Sequence, residues 1–330
     1  MAAFTDKGKT MPDLPKRVQI NEEGPREGFQ IEKGTIPTDR KVELIDALSE
    51  TGLSEIQTVS FVNPARVPGW ADAEEVVKRF HAKPGIRYTG LWLNEKGLMR
   101  AIATEKLFMK GLISLTASEK FLQRNQQRTL AENLDEQRHM ITVFKQHNIP
   151  VERGSIMAAF GCNFQGDIPV GTIVEMVAQI IDLGKQTGVE IKVVSLADTM
   201  AWATPQSIYR VVGAVRERFP DLRLSLHLHD TRGMGIANAF AGLQMGVDSF
   251  DSTVAGLGGC PFAAHAGGAG NVCTEDLVFM LNEMGIQTGI DLDKLLEVGR
   301  LAEDIVGHPL PGTVKTGGSL KVLRDRLRAA

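Results

Sequence analysis

His227 and His229 lie two residues apart in the run Leu224–Asp230, where apolar and polar side chains alternate. Alternation of this kind marks a strand, whose side chains leave opposite faces in turn, so both imidazoles leave the same face. Two neutral imidazoles on one rigid face make half of a divalent-metal site. A second run, Asp251–Pro261, passes through Gly256, Gly258 and Gly259 to a single thiol, Cys260, beside a proline. A lone cysteine is often a small buried hydrophobe, but glycines leading into it make an exposed loop that favours chemistry. Near the N-terminus, Arg26 and Glu27 are neighbours in Glu23–Gly28, read as a turn closing a first strand, Arg17–Glu22. An adjacent Arg–Glu pair can be a surface ion pair; a turn after a strand aims it inward instead.

Positioning these groups takes a scaffold of strands alternating with helices. Further apolar runs at Ser54–Phe61, Arg87–Leu93, Gly111–Leu115, Val151–Ala158, Glu190–Leu196 and Ser249–Val254 bring the expected strand count to eight. Helical periodicity falls between them, as in the segment after Thr38, an expected N-cap, where Val42, Ile45 and Leu48 share a face. Eight βα units predict an α/β fold, a (β/α)₈ TIM barrel. Gly24–Gly28 lacks the G-x-G-x-x-G spacing of a dinucleotide-binding sheet. The expected division is a polar tail over 1–16, the barrel over 17–273 and a helical extension over 274–330. Active sites of such barrels sit at the C-terminal strand ends. That rim gathers Arg26, Glu27, Gln57, Trp92, Asn94, Asp198, His227, His229, the glycine loop with Cys260, and Asn271.

Composition excludes several classes. The 330-residue chain is 43% hydrophobic and 23% charged, with a formal net charge of −3, and its isoelectric point is near 6.2. No basic surface for nucleic acid is expected, and no apolar run approaches a membrane span. Met1–Lys16 lacks the apolar core of a signal peptide and the arginines of a transit peptide, and Cys162, Cys260 and Cys273 form no paired framework. A cytoplasmic protein is the expectation.

With these residues in view, the chain from about Val18 to Gly299 resembles hydroxymethylglutaryl-CoA lyases, within the barrel metallolyases that include isopropylmalate and homocitrate synthases. The most specific match is Ser252–Phe262, similar to the lyase cysteine signature. Gly24–Gln30, Ser60–Val62, Asp198–Thr199, His227–Thr231, Gly270–Asn271 and Thr274–Leu277 follow in the family's order. The resemblance implies retro-Claisen cleavage of a 3-hydroxy-3-substituted acyl-CoA. It places a divalent cation, Mg²⁺ or Mn²⁺, on Glu27, His227, His229 and Asn271. By the same resemblance Arg26 steadies the thioester oxygen, Cys260 is the carbon acid, Asp198 is an anchor or base, and Lys33 lies near the CoA phosphates. It also implies a homodimer or homotetramer, with a small acyl-CoA as the partner molecule. Two alternatives remain: an acyl-CoA condensing enzyme, and a barrel that binds metal and ligand without turnover.

The chain departs from the family pattern at four places. Glu27 stands where the family has aspartate, and Gln57 replaces a catalytic glutamate, removing a proton acceptor or an anchor for Arg26. Steric compensation between those two positions is expected. Trp92 and Trp202 occupy the place of small residues and reshape the acyl pocket. The loop from Cys260 to Asn271 is longer and carries His265, an additional acid or base.

Overall fold

The computed structural model describes residues 14–32, 34–258 and 270–329. Lys33, Cys260 and His265 lie outside the described residues. In chain order the barrel runs β1 (Gln19–Glu22), α1 (Gly24–Ile31), α2 (Thr38–Leu48), β2 (Glu55–Ser60), α3 (Ala73–Arg79), β3 (Arg87–Leu91), α4 (Glu95–Ile102) and β4 (Gly111–Thr116). It continues through α5 (Glu119–Gln126), α6 (Leu130–Gln146), β5 (Val151–Met157), α7 (Val170–Thr187), β6 (Val193–Asp198), α8 (Pro205–Arg218), β7 (Arg223–Leu228), α9 (Gly235–Gln244) and β8 (Ser249–Ser252). Helices α10 (Thr274–Glu283), α11 (Leu292–Val306), α12 (Val314–Gly317) and α13 (Leu320–Ala329) follow.

All the ladders are parallel, and the order β3-β2-β1-β8-β7-β6-β5-β4 joins the first strand to the last. This is the (β/α)₈ TIM-barrel arrangement, with its seam between β3 and β4. A backbone bond from the Phe108 amide to the Tyr88 carbonyl crosses near that seam. The wall is built by apolar side chains that face the helices. In β7, Leu226 packs against Gly242 of α9, where an added Cβ would lie 2.6 Å from it. Alternation then turns Ser225 and His227 toward the barrel axis.

The segment expected as a turn at Glu23–Gly28 is a helix instead. Pro25, at the start of α1, has the backbone angle a first helical turn needs and loses no hydrogen bond there. Gly24 is required by closeness: a Cβ would stand 2.5 Å from Glu22 Oε1, which accepts the Gly24 amide at 2.7 Å. Thr38 is the first residue of α2 rather than its N-cap; Pro37 holds that place, and the Thr38 hydroxyl donates to Asp72. Strand β6 starts at Val193 and ends on Asp198, later than the expected Glu190–Leu196, because Val189–Lys192 cross from α7 to the sheet. Helix α5 was not anticipated; Ser118 caps it by accepting the Phe121 amide.

The C-terminal helices brace the end of β8. Gly312 donates its amide to the Ala255 carbonyl at 3.0 Å, Asp276 accepts the Thr313 and Val314 amides, and α11 packs on α2.

Candidate metal centre and active site

Helix α1 carries Arg26 and Glu27 in its first turn, β7 carries His227 and is followed directly by His229, and Asn271 bridges to His229 as an antiparallel partner. The two imidazoles meet edge to face, 5.1 Å between ring centres. Glu27 Oε1 is 3.4 Å from His229 Nε2 and 3.9 Å from His227 Nε2. Glu27 Oε2 accepts Asn271 Nδ2 at 2.9 Å, while Asn271 Oδ1, buried, has no hydrogen-bond partner.

These atoms pass a chemical test for a cation site. His229 Nδ1 donates to the Thr199 carbonyl at 2.8 Å, so its Nε2 presents a lone pair to the Glu27 carboxylate. A lone pair facing a carboxylate oxygen at 3.4 Å leaves room for a positive charge between them. Two ligands about 2.1 Å from one ion stand about 3 Å apart when adjacent and about 4 Å apart when opposed, which brackets the observed separations. The orphaned Asn271 oxygen is available as a fourth donor. One carboxylate, two imidazoles and an amide oxygen suit a divalent cation with open positions.

Behind the imidazoles lies a charged layer set by register. Asn21 of β1, Asp251 of β8 and His227 of β7 are cross-strand neighbours. Asp251 accepts Asn21 Nδ2 at 2.8 Å and is joined by Arg153 Nη2 at 3.2 Å. Its carboxylate stands 3.5 Å from His227 Nδ1, backing the imidazole as metal-bound histidines are commonly backed. Burial works against the imidazolium, but Glu27, Asp251 and Glu23 together raise the His227 pKa to about 9. For Glu27 burial is likewise outweighed: Arg26 and then His227 hold its carboxyl well below the usual range. The pocket is built for positive charge beside Glu27.

Arg26 is clamped from several sides. Its Nε donates to Gln57 Oε1, its Nη2 to Glu23 Oε2 at 2.7 Å, and Glu27 Oε2 lies at 3.3 Å. The Trp70 indole donates to the Arg26 carbonyl at 3.0 Å and seats the helix. Gln57 is the third residue of β2, short of the strand's end at Ser60, and meets the site through its contact with Arg26. The carboxylate that meets Arg26 is Glu23, which a turn at this segment would not place on the same face. In a helix Glu23, Arg26 and Glu27 share a face through i,i+3 and i,i+4 spacing, and Pro25 at a first helical turn was the available signal.

Asp198, at the end of β6, accepts the Trp202 and Ala203 amides through Oδ1, while Oδ2 is buried without a partner. Burial raises its pKa to about 6. Trp202 is held by its indole N–H on Asn163 Oδ1 at 2.7 Å and lies over Gly161, where a Cβ would sit 2.5 Å from the ring. Trp92 is half-buried at the end of β3, beside Gly97 of α4. Asn94 is exposed, and its side chain caps α4 by accepting the Gly97 amide. Cys162 and Cys273 are buried, and burial pushes the Cys273 thiol up, consistent with structural roles.

Residues 17–302 match the family model described as HMGL-like. The chain belongs to the HMGL-like family. It is 41% identical over 286 residues to the rat cytoplasmic 3-hydroxy-3-methylglutaryl-CoA lyase, covering 87% of this chain and 80% of that one. The human mitochondrial hydroxymethylglutaryl-CoA lyase is 41% identical over 290 residues, covering 88% and 86%. A solved HMG-CoA lyase from Acinetobacter baumannii, in complex with coenzyme A and 3-methylmalate, superposes with a TM-score of 0.82 at 35% identity, covering 97% of each chain. Family membership and the barrel therefore agree with the motifs from which both were expected.

Proposed function

We propose that the protein is a divalent-metal-dependent carbon–carbon lyase, cleaving a 3-hydroxy-3-substituted acyl-CoA to acetyl-CoA and a 3-oxo acid. Hydroxymethylglutaryl-CoA or a close relative is the substrate. The observation that carries this reading is the Glu27–His227–His229–Asn271 cluster, with its orphaned amide oxygen, beside a clamped arginine. The lyase names of the relatives, and coenzyme A in one of them, support the acyl-CoA class. Mixed oxygen and imidazole ligands with open positions favour Mg²⁺ or Mn²⁺.

A cation held by the four ligands supplies a template and Lewis acid for the C3 hydroxyl and a neighbouring carboxylate oxygen. The chain's residues then handle charge and protons. Asp198 Oδ2, unpartnered and with a raised pKa, takes the hydroxyl proton. As the C2–C3 bond breaks, its electron pair passes to the thioester, and Arg26 donates to the oxygen that becomes the enolate. Cys260 gives its proton to C2, completing acetyl-CoA, while C3 leaves as a ketone. Trp202, fixed by Asn163, and Trp92 shape the acyl end; Lys33 contacts the CoA phosphates and His265 is an additional acid or base.

A product survey tests this. Mn²⁺- or Mg²⁺-loaded protein is incubated with a panel of 3-hydroxy-3-substituted acyl-CoA thioesters, and products are read by mass spectrometry. Acetyl-CoA with a matching 3-oxo acid is expected from at least one member; cleavage of none sinks the lyase reading. Release of free thiol from acetyl-CoA plus a 2-oxo acid would point to condensation instead. No helix among the described residues is long and apolar enough to cross a membrane. We place the protein in the cytoplasm, as a homodimer or homotetramer, which fractionation and light scattering would check.

A further inference from the structure

Arg26 can stabilise a developing oxyanion only if its guanidinium is already aimed when charge appears. Gln57 accepts from Nε but is neutral, so it sets a direction without supplying charge. Glu27, 3.3 Å away, has its oxygens toward Asn271 and the two imidazoles. Among the described residues, Glu23 is the other carboxylate paired with the guanidinium, at 2.7 Å. Only 9% of it is exposed, and its Oε2 also stands 3.6 Å from His227 Nδ1.

A buried carboxylate is expensive to desolvate, so its presence calls for a reason. Helix capping is not that reason: Glu23 occupies the N-cap of α1, yet its side chain makes no capping hydrogen bond. Its contacts run to Arg26 on one side and to the back of His227 on the other, joining the oxyanion group to a ligand imidazole. We propose that Glu23 is a positioning residue for the reaction, supplying the anionic hold on Arg26 that position 57 lacks. The carboxylate that orients the arginine thus comes from the helix carrying it rather than from β2. This deepens the lyase reading and rests on it.

The experiment compares Glu23→Gln with the relocated pair Glu23→Gln/Gln57→Glu, both as Mn²⁺ holoprotein. For Glu23→Gln, kcat should fall about 10- to 100-fold with KM changed by less than about threefold, the pattern of a misaimed transition-state contact. Mn²⁺ stoichiometry, read by electron paramagnetic resonance of the free ion, should be unchanged. The Arg26 Nε–H signal in a ¹H–¹⁵N spectrum, assigned by its loss in Arg26→Lys, should broaden. Moving the carboxylate to position 57 should restore the signal and bring kcat to within about tenfold of the parent. Parental kcat and an unchanged Arg26 signal in Glu23→Gln would overturn the proposal. So would failure of the relocated pair to restore either quantity while Mn²⁺ still binds. Loss of Mn²⁺ from Glu23→Gln would make Glu23 part of the ligand set and overturn it equally. If the parent cleaves no thioester the lyase reading falls, while the Arg26 signal still decides whether Glu23 holds the arginine.

Discussion

Glu22 shows how the buried end of β1 tolerates an acid that is not a ligand. Its Oε1 accepts the Gly24 and Val254 amides, and Oε2 accepts the Thr274 hydroxyl, which in turn meets Ser252 Oγ. Burial, with repulsion from Glu275, raises its pKa to about 8. A carboxyl whose pKa rises on folding holds more protons folded than unfolded. Its favourable contribution is complete below the ordinary value of 4.5 and is lost as pH climbs toward 8. Glu22→Gln mimics the protonated form: the amide oxygen keeps both backbone donors, and the amide nitrogen donates to Thr274 once that rotor reverses. Urea denaturation should show the variant more stable at pH 8 by on the order of 3 kcal/mol and little changed at pH 5. Equal stability at both pH values would refute the linkage. Among the ligand candidates, Glu27→Ala should weaken Mn²⁺ affinity by at least about 100-fold, judged against the loss that even outer-shell changes cause. Unchanged affinity would remove Glu27 from the centre.

At the scale of elements, the strands were legible because period-2 apolar runs bounded by glycine and proline survive translation into a buried sheet. His227 and His229 kept their shared face for the same reason, since alternation fixes orientation whatever surrounds the strand. What could not be read was depth and local helicity. Gly24–Pro25 has the composition of a turn, and only the Pro25 backbone angle and the contact of Gly24 with Glu22 make it a helix start. Gln57 sits three residues before the end of β2 and reaches the site through Arg26, a contact between distant segments that leaves no local signal. Asn94 also caps α4, a local use that its own sequence neighbours fulfil. The brace on the glycine loop was equally hidden, being a contact between distant segments. Gly256 has φ +72°, and a Cβ there would lie 2.8 Å from Pro311 Cγ. Gly256→Ala therefore meets both left-handed backbone strain and a collision with the C-terminal segment. A loss of about 1–3 kcal/mol in urea denaturation is expected; a neutral substitution would mean that the segment does not hold the loop.

The whole molecule is held unevenly. Strands β7, β8 and β1 form a continuous ladder, whereas the seam leaves β3 and β4 at the two ends of the sheet. The proposed metal ligands lie on the continuous side: Glu27 follows β1, His227 and His229 come from the end of β7, and Asn271 follows β8. A cation shared by them would tie the first barrel segment to the last two, which are joined otherwise by ladder bonds and by the Asn21–Asp251–His227 layer. The unfolded chain scatters these ligands from position 27 to position 271 and offers no comparable site, so binding must stabilise the fold by mass action. With free Mn²⁺ at a hundred times its dissociation constant, the gain is about 2.7 kcal/mol. Added Mn²⁺ should raise the melting temperature in calorimetry, chelation should reverse the rise, and Glu27→Ala should abolish it. Hydrogen exchange should localise the effect, with protection gained in β1, β7 and β8 and little change in β3 and β4 across the seam. Protection gained equally at the seam would show that the ion tightens the barrel globally rather than by cross-linking the strands that carry its ligands.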